Sequence, residues 1–315
     1  ALSPAFTLKG IKVTAPASGA TVTQNVASSV TWSSAGIDGN VNIYYSSDNG
    51  STYSETPINA SPINVTTGTY SWTPNTAILT PSATAKLKIQ VVSGSDTGLY
   101  AESAQFTLKG IKISAPAAGT TWELGQTQSI TWTAAGAGST CNIYYAADGT
   151  NFTSTVNSSA VLLSAGTYSW TIPASITPSN GVAKIRITSD TNVSSSSGTF
   201  TIKGIKVTNP TATTIWEVGE SVTISHAVVG AMSALNVYYV KDGVETQIGT
   251  AMPNSSFPWV VTEDAEGPGI IIRLKSFMPN YTGDSPQFQI VGEASLAVSE
   301  PSAGSSWKVS ETNTI

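Results

Sequence analysis

Apolar and polar residues alternate along the chain in short runs rich in Val, Ile, Thr and Tyr, bounded by Gly, Asn, Asp and Pro. Alternation with period two predicts strands with one buried face, and no segment sustains the 3.6-residue period of a helix. Val41-Asn42-Ile43-Tyr44-Tyr45 is such a run. It returns as Cys141-Asn142-Ile143-Tyr144-Tyr145 and as Leu235-Asn236-Val237-Tyr238-Tyr239. Lys86-Leu87-Lys88-Ile89 matches Lys184-Ile185-Arg186-Ile187 and Arg273-Leu274-Lys275-Ser276. Gly68-Thr69-Tyr70-Ser71-Trp72 matches Gly166-Thr167-Tyr168-Ser169-Trp170, with Phe257-Pro258-Trp259 as a looser copy. Asp48-Asn49-Gly50, Asp148-Gly149 and Asp242-Gly243 follow the Tyr-Tyr runs and read as hairpin turns.

The order of these runs repeats, so the chain is an array. Phe106-Thr107-Leu108-Lys109-Gly110-Ile111-Lys112-Ile113 copies Phe6 to Val13, returns at Phe200 to Val207, and fades at Phe288-Gln289-Ile290-Val291-Gly292. A proline follows each copy, at 16, 116, 210 and 301, with spacings of 100, 94 and 91 residues. Those periods match one sandwich domain. The expected fold is all-β: tandem immunoglobulin-like β-sandwich domains in an extended rod. Repeat 1 is assigned to 11–108, repeat 2 to 111–202 and repeat 3 to 205–290. Residues 1–10 read as the last strand of a preceding or donor repeat, and 293–315 as opening strands of an incomplete fourth. The ends suggest a window on a longer array. The alternative is donor-strand exchange between subunits, against which stands the C-terminal stub, too short to build a domain by strand exchange.

Tryptophan fills three recurring slots. Trp122, Trp216 and Trp307 lie six residues after a proline, where repeat 1 has Val22. Trp32 and Trp132 lie ten residues further on, where repeat 3 has His226. Trp72, Trp170 and Trp259 end a later strand. One rule covering all eight points to core packing rather than to a binding platform.

Composition narrows the function. The chain of 315 residues carries 44 Ser and 43 Thr, only 10% charged residues and a net charge of -5. Nucleic-acid binders need basic patches, so that partner is not expected. No apolar run is long enough to cross a bilayer as a helix, so direct membrane insertion is not expected either. One Cys and one His exclude an intramolecular disulfide, Cys/His zinc sites and most catalytic triads. Cys141 stands where Val41 and Leu235 stand, as a small core hydrophobe. His226 has no second histidine or serine–acid pair to work with. Asp48, Asp148, Asp242, Asp96, Asp190 and Asp284 recur singly at turns without the clustered carboxylates calcium needs. No enzyme activity, metal or cofactor is expected.

The run Ile111-Lys112-Ile113-Ser114-Ala115-Pro116, then Gly119-Thr120-Thr121-Trp122-Glu123-Leu124-Gly125, then Ser129-Ile130-Thr131-Trp132, a Tyr-Tyr strand and Gly166 to Trp170 resembles a known pattern. It is similar to the Ser/Thr-rich Kre9/Knh1-like immunoglobulin-like tandem repeats of cell-surface and cell-wall proteins. The second repeat carries the likeness best. The first lacks the first Trp, and the third departs at His226 and Phe257-Pro258-Trp259. The resemblance implies a sandwich fold, an extracellular or cell-surface setting and no catalytic residues; it does not assign function by itself.

Two sets of positions remain as contact candidates. The junctions hold Lys9, Lys12, Lys109, Lys112, Lys203 and Lys206, six of the twelve lysines. Only about two residues would separate one domain from the next, making the array semi-rigid and on the order of 100 Å long over three domains. The lysines would either guard exposed strand edges, the plainer explanation, or touch an acidic partner. The third junction, Ile290 to Glu293, loses both lysines, and a bend is expected there. Alternation also places Asn42, Tyr44, Lys86 and Lys88 on one outer face, with Asn142, Tyr144, Lys184 and Arg186 in repeat 2 and Asn236, Tyr238, Arg273 and Lys275 in repeat 3. This is either a solvated face or a surface for a neighbouring copy or a glycan, self-assembly being favoured over glycan. Acceptor sequons for N-glycans stand at Asn49, Asn59, Asn64, Asn151, Asn157, Asn192, Asn254 and Asn280. The function expected is a non-enzymatic structural protein of a cell-surface filament, sheath or layer. An adhesin or carbohydrate-binding module, or a spacer for a domain outside this window, is the alternative.

Overall fold

The computed structural model describes residues 8–277 and 280–293, with Gly304, Ser306 and Val309 beyond them. The terminal strand expected at 1–10 lies mostly outside the described residues, as does the fourth-repeat stub at 293–315 with Trp307. The chain divides into two compact units, Ala1–Lys203 and Gly204–Ile315.

The first unit holds two immunoglobulin-like sandwiches. In the first, the strands Gly10–Ala15, Ser28–Ala35 and Thr69–Trp72 form one sheet. The opposite sheet is built on Asn40–Ser46 paired antiparallel with Ser82–Val91, followed by the start of Phe106–Ala115. A short strand, Thr21–Thr23, adds in parallel to Phe106–Ala115 and closes that side. Repeat 2 is built alike. Thr127–Ala135 and Thr167–Thr171 belong to one sheet, while Thr140–Ala146 and Ser179–Ser189 lead the other. In the second unit, Ser221–Val229 and Phe257–Val260 face Leu235–Lys241 and Gly267–Ser276.

Alternation decides which side chains fill the cores. Val41, Ile43 and Leu87 are wholly buried, as are Ile143, Ile185 and Ile187, and Val237, Ile272 and Leu274. Each core centres on an aromatic group. Tyr45, Trp72 and Phe106 meet in repeat 1, with rings tilted or edge-on at 6.2–6.4 Å. Trp122, Tyr145, Trp170 and Phe200 form the equivalent group in repeat 2, and Trp216, Tyr239, Trp259 and Phe288 in repeat 3. All seven tryptophans among the described residues are buried, as the three slots predict. Such edge-on pairs add to area burial without demanding a polar partner.

The junction between repeats 1 and 2 is not a linker. Phe106–Ala115 is a single strand. Its first residues pair with Ser82–Val91 and Thr21–Thr23, and its last with Thr127–Ala135. The sequence suggests about two separating residues here, but Gly110 lies inside the strand. A Cβ at Gly110 would fall 2.6 Å from Gln24 Oε1 and 2.8 Å from Thr76 Cγ2, so the glycine serves close packing. Gln24 is itself buried and connects three segments. Its Oε1 accepts from Thr76 Oγ1 at 2.6 Å and from Ile111 N at 3.0 Å, while its Nε2 donates to Ser194 O at 2.6 Å. Phe200–Asn209 is likewise one strand, with Phe200–Lys203 in the first unit and Gly204–Asn209 in the second. Lys109 and Lys203 therefore stand on strands flanked by neighbours on both sides, and neither guards a free edge.

Candidate functional site

The outer-face residues converge as alternation predicts. Tyr44 stands opposite Lys88, Tyr144 opposite Arg186, and Tyr238 opposite Arg273. This register corrects one equivalence drawn from sequence. Arg273 is the counterpart of Lys88 and Arg186, not of Lys86. Ile271 takes the place of Lys86 and Lys184, and Lys275 that of Gln90 and Thr188. The slip is two residues, which preserves the face and so leaves no trace in the hydrophobic pattern.

Each repeat stacks a cation on a ring. Lys88 Nζ lies 5.2 Å from the Tyr44 ring, 4.7 Å from Tyr53 and 5.9 Å from Tyr100. Arg186 lies 3.7 Å above Phe152, and Lys275 lies 5.3 Å from Tyr238. Such contacts hold a cation in place while leaving its charge available. Tyr53, Tyr100 and Phe152 were missed in the sequence, because they come from loops and a short edge strand rather than from the alternating runs. A signal does exist: an aromatic residue comes three positions after the glycine of the Asp-Gly turn, at Tyr53 and at Phe152.

The turn aspartates brace the loops that carry Tyr53 and Phe152. Asp48 accepts from Thr52 N at 2.9 Å, from Thr52 Oγ1 at 2.6 Å and from Ser46 Oγ at 2.7 Å. The Thr52 hydroxyl and amide hold the Asp48 carboxyl down at about 2. Asp148 accepts from Thr150 N, Asn151 N and Asn151 Nδ2, which lower its pKa in the same way. These turns do not close tight hairpins, contrary to expectation. Only Asp242-Gly243 does, with both residues at positive φ between Lys241 and Val244. Asp190 accepts from Ser139 N and Thr140 N, and Asp96 pairs with Lys9 Nζ at 3.1 Å. Among the described residues no three His, Cys, Asp or Glu side chains gather as a metal site would require.

Carboxylate partners divide the three faces. In repeat 1, Lys86 meets Glu102 at 3.4 Å. In repeat 3, Arg273 is forked onto Asp284 and bonded to Glu245 at 2.7 Å, and Lys275 meets Glu245 at 2.6 Å. These two cations keep the Glu245 carboxyl below the usual carboxylate range, the Lys275 bond contributing most. Among the described residues, Lys184 and Arg186 in repeat 2 make no such ion pair.

The asparagines of the face have a structural task. Asn59, which is buried, accepts from Ile43 N at 2.8 Å, and its amide donates to Asn42 Oδ1 at 3.1 Å and Ser61 O at 2.8 Å. Asn157 repeats this with Ile143 N at 2.6 Å, Asn142 Oδ1 at 3.3 Å and Ser159 O at 2.8 Å. Asn59 and Asn157 are thereby withdrawn as glycan acceptors, since their amides are enclosed and occupied. Asn49, Asn64, Asn151, Asn192, Asn254 and Asn280 are exposed. In repeat 3, the only side-chain bond to Asn236 among the described residues is a 3.5 Å one from Thr250 Oγ1.

Lys112 donates to Ile78 O at 2.8 Å, tying repeat 2 to a loop of repeat 1, while Lys12 is exposed and Lys206 half-buried. Cys141 is buried in the core as expected, and burial raises its thiol to about 11. His226 replaces a tryptophan bond for bond. Trp32 Nε1 donates to Val65 O at 2.7 Å and Trp132 Nε1 to Leu163 O at 2.8 Å. His226 Nε2 donates to Pro253 O at 3.1 Å, leaving a buried Nδ1 without a partner among the described residues.

Residues 115–202 match the family described as the Kre9/KNH-like N-terminal Ig-like domain, in agreement with the resemblance carried by repeat 2. No curated protein matches the chain. Similar solved structures include the chicken CNTN1 FN1–FN3 domains, at 13% identity over 89% of this chain and 98% of that one, with a TM-score of 0.32. The titin I9–I11 tandem is 13% identical over 90% and 99%, with a TM-score of 0.22. The Clostridium thermocellum CbhA fibronectin(III)-like modules are 15% identical over 58% and 94%, with a TM-score of 0.23.

Proposed function

We propose that this chain is a non-enzymatic, extracellular structural protein: an array of immunoglobulin-like repeats that packs end to end and laterally into a cell-surface filament, sheath or layer. The observation that carries the proposal is the recurrence, in all three repeats, of a cation stacked on an aromatic ring on the same outer sheet face. A repeated patch on a repeated domain offers copies a periodic contact. Within the first unit, the continuous strand Phe106–Ala115 would keep the patches of repeats 1 and 2 in step. The likeness of residues 115–202 to a domain of cell-wall and cell-surface proteins supports the setting.

Negative-stain electron microscopy and sedimentation velocity at rising protein concentration test this. Ordered filaments or sheets are expected; compact monomers up to high concentration would overturn it. An adhesin is the second reading, favoured by the ring-lined face of repeat 1, where Tyr100 is 59% exposed. Glycan-array binding that is lost in Tyr44→Ala and Tyr144→Ala would support it.

A further inference from the structure

We infer that the lateral contact is asymmetric: the outer face of repeat 2 docks on the acidic end of repeat 3 of a second copy. This rests on the assembly proposed above and names the surfaces that make it.

The first observation is the unsatisfied charge of repeat 2. On the equivalent faces, Lys86 has Glu102, while Arg273 and Lys275 share Glu245 and Asp284. Repeat 2 has Ser196 in the pairing position that Glu102 and Asp284 occupy in the other two. Its turn carboxylate, Asp148, is engaged by Thr150 and Asn151. Lys184 and Arg186 thus present two positive charges without an ion-pair partner among the described residues. Arg186 is moreover pinned 3.7 Å above Phe152, so it loses little freedom on meeting an anion.

The second observation is the excess acidity of repeat 3. Residues 205–290 hold eight acidic against four basic residues, whereas 111–202 hold three of each. Two of the eight, Glu245 and Asp284, are consumed on the face. Four others converge at one end. The bonds Gly219 N to Val261 O and Val261 N to Glu220 O, each 2.9 Å, bring the Glu217–Glu220 turn beside the segment bearing Glu263. Glu217 pairs in register with Val291, and the Glu266 carboxylate lies beside neighbouring Gly292. Glu217, Glu220, Glu263 and Glu266 are all exposed. Copies of one chain therefore offer a pinned basic patch and an acidic one on different repeats. Opposite patches on different surfaces generate a heterologous contact, which propagates as a filament unless its rotation closes a ring.

Complementary charge reversal tests the inference, using sedimentation velocity of the 315-residue chain and circular dichroism to confirm folding. The wild type should associate at low salt and dissociate as salt screens the contact. Lys184→Glu with Arg186→Glu should weaken association at least about tenfold, and Glu263→Lys with Glu266→Lys should do the same. Mixing the two double variants should restore it, since each then offers the charge the other lacks. Association of either variant alone at wild-type strength would overturn the asymmetric contact and leave assembly through another surface. A wild type that stays monomeric at every concentration and salt would overturn both.

Discussion

Repeats 1 and 2 solve one local problem with side chains that repeat 3 solves with backbone. The Tyr-Tyr strand needs a neighbour on its outer edge. In repeat 3 the eight-residue strand Val244–Ala251 supplies it, paired from Lys241↔Val244 to Leu235↔Ala251 with one register shift between Val237 and Tyr238. In repeats 1 and 2 that strand is reduced to fragments such as Ile63–Asn64 and Val161–Leu162. Buried Asn59 and Asn157 bond Ile43 and Ile143 in its place. Gly249 permits the full strand, because a Cβ there would lie 2.5 Å from the Phe257 ring. Gln24 shows the same habit at the repeat 1–2 junction, a buried side-chain amide serving a backbone N–H. Where a loop replaces a strand, backbone donors in the core edge still need partners, and a buried amide can provide an acceptor and donors together.

The largest expected effect is at Asn157. Asn157→Ala leaves the Ile143 amide without its acceptor in a buried setting and should cost about 3 kcal/mol in urea unfolding. Thr250→Ala in repeat 3 should change stability by no more than about 0.5 kcal/mol, because the strand remains. Equal small losses at both sites would dissolve the distinction. Trp132→His gives repeat 2 the residue of repeat 3. It can keep the bond to Leu163 O but forfeits buried aromatic area, for an expected loss of about 2 kcal/mol.

Gln24→Leu places at the first junction the residue type found at Leu124. It should cost about 1–2 kcal/mol, and hydrogen exchange should quicken at the Ile111 amide. Unchanged protection there would mean the glutamine does not hold the junction.

The smallest effect is acid sensitivity of the turns. The Asp48 carboxyl, held near 2 by Thr52 and Ser46, is lower than in the unfolded chain. Its contribution is therefore complete above the ordinary carboxylate pKa and is lost as pH falls through about 2. Asp48→Asn should flatten that part of the acid unfolding curve of repeat 1 and lower stability slightly at neutral pH, where the carboxylate's contribution is complete.

Much of the fold was legible. Alternation named the buried Val41, Ile43 and Tyr45 and their outward neighbours, and periodicity found the strands, the core tryptophans and the repeat itself. The candidate face was legible as a set of positions, since a strand's two sides follow from sequence parity alone. Its content was not. Tyr53 and Phe152 reach it from loops, and the carboxylates that quench repeats 1 and 3 come from separate strands, with Glu245 facing Arg273 across 28 residues.

What the sequence determined by itself is what local periodicity can encode: strand, face and repeat. Only the tertiary structure decided that Gly110 marks a close approach within one strand, that Asn59 and Asn157 are braces rather than glycan acceptors, and that Arg273 aligns with Arg186. Each depends on which atoms distant segments bring within a few ångströms. A two-residue register slip or a buried amide leaves the alternating pattern unchanged, so these outcomes were written in contacts and not in the pattern.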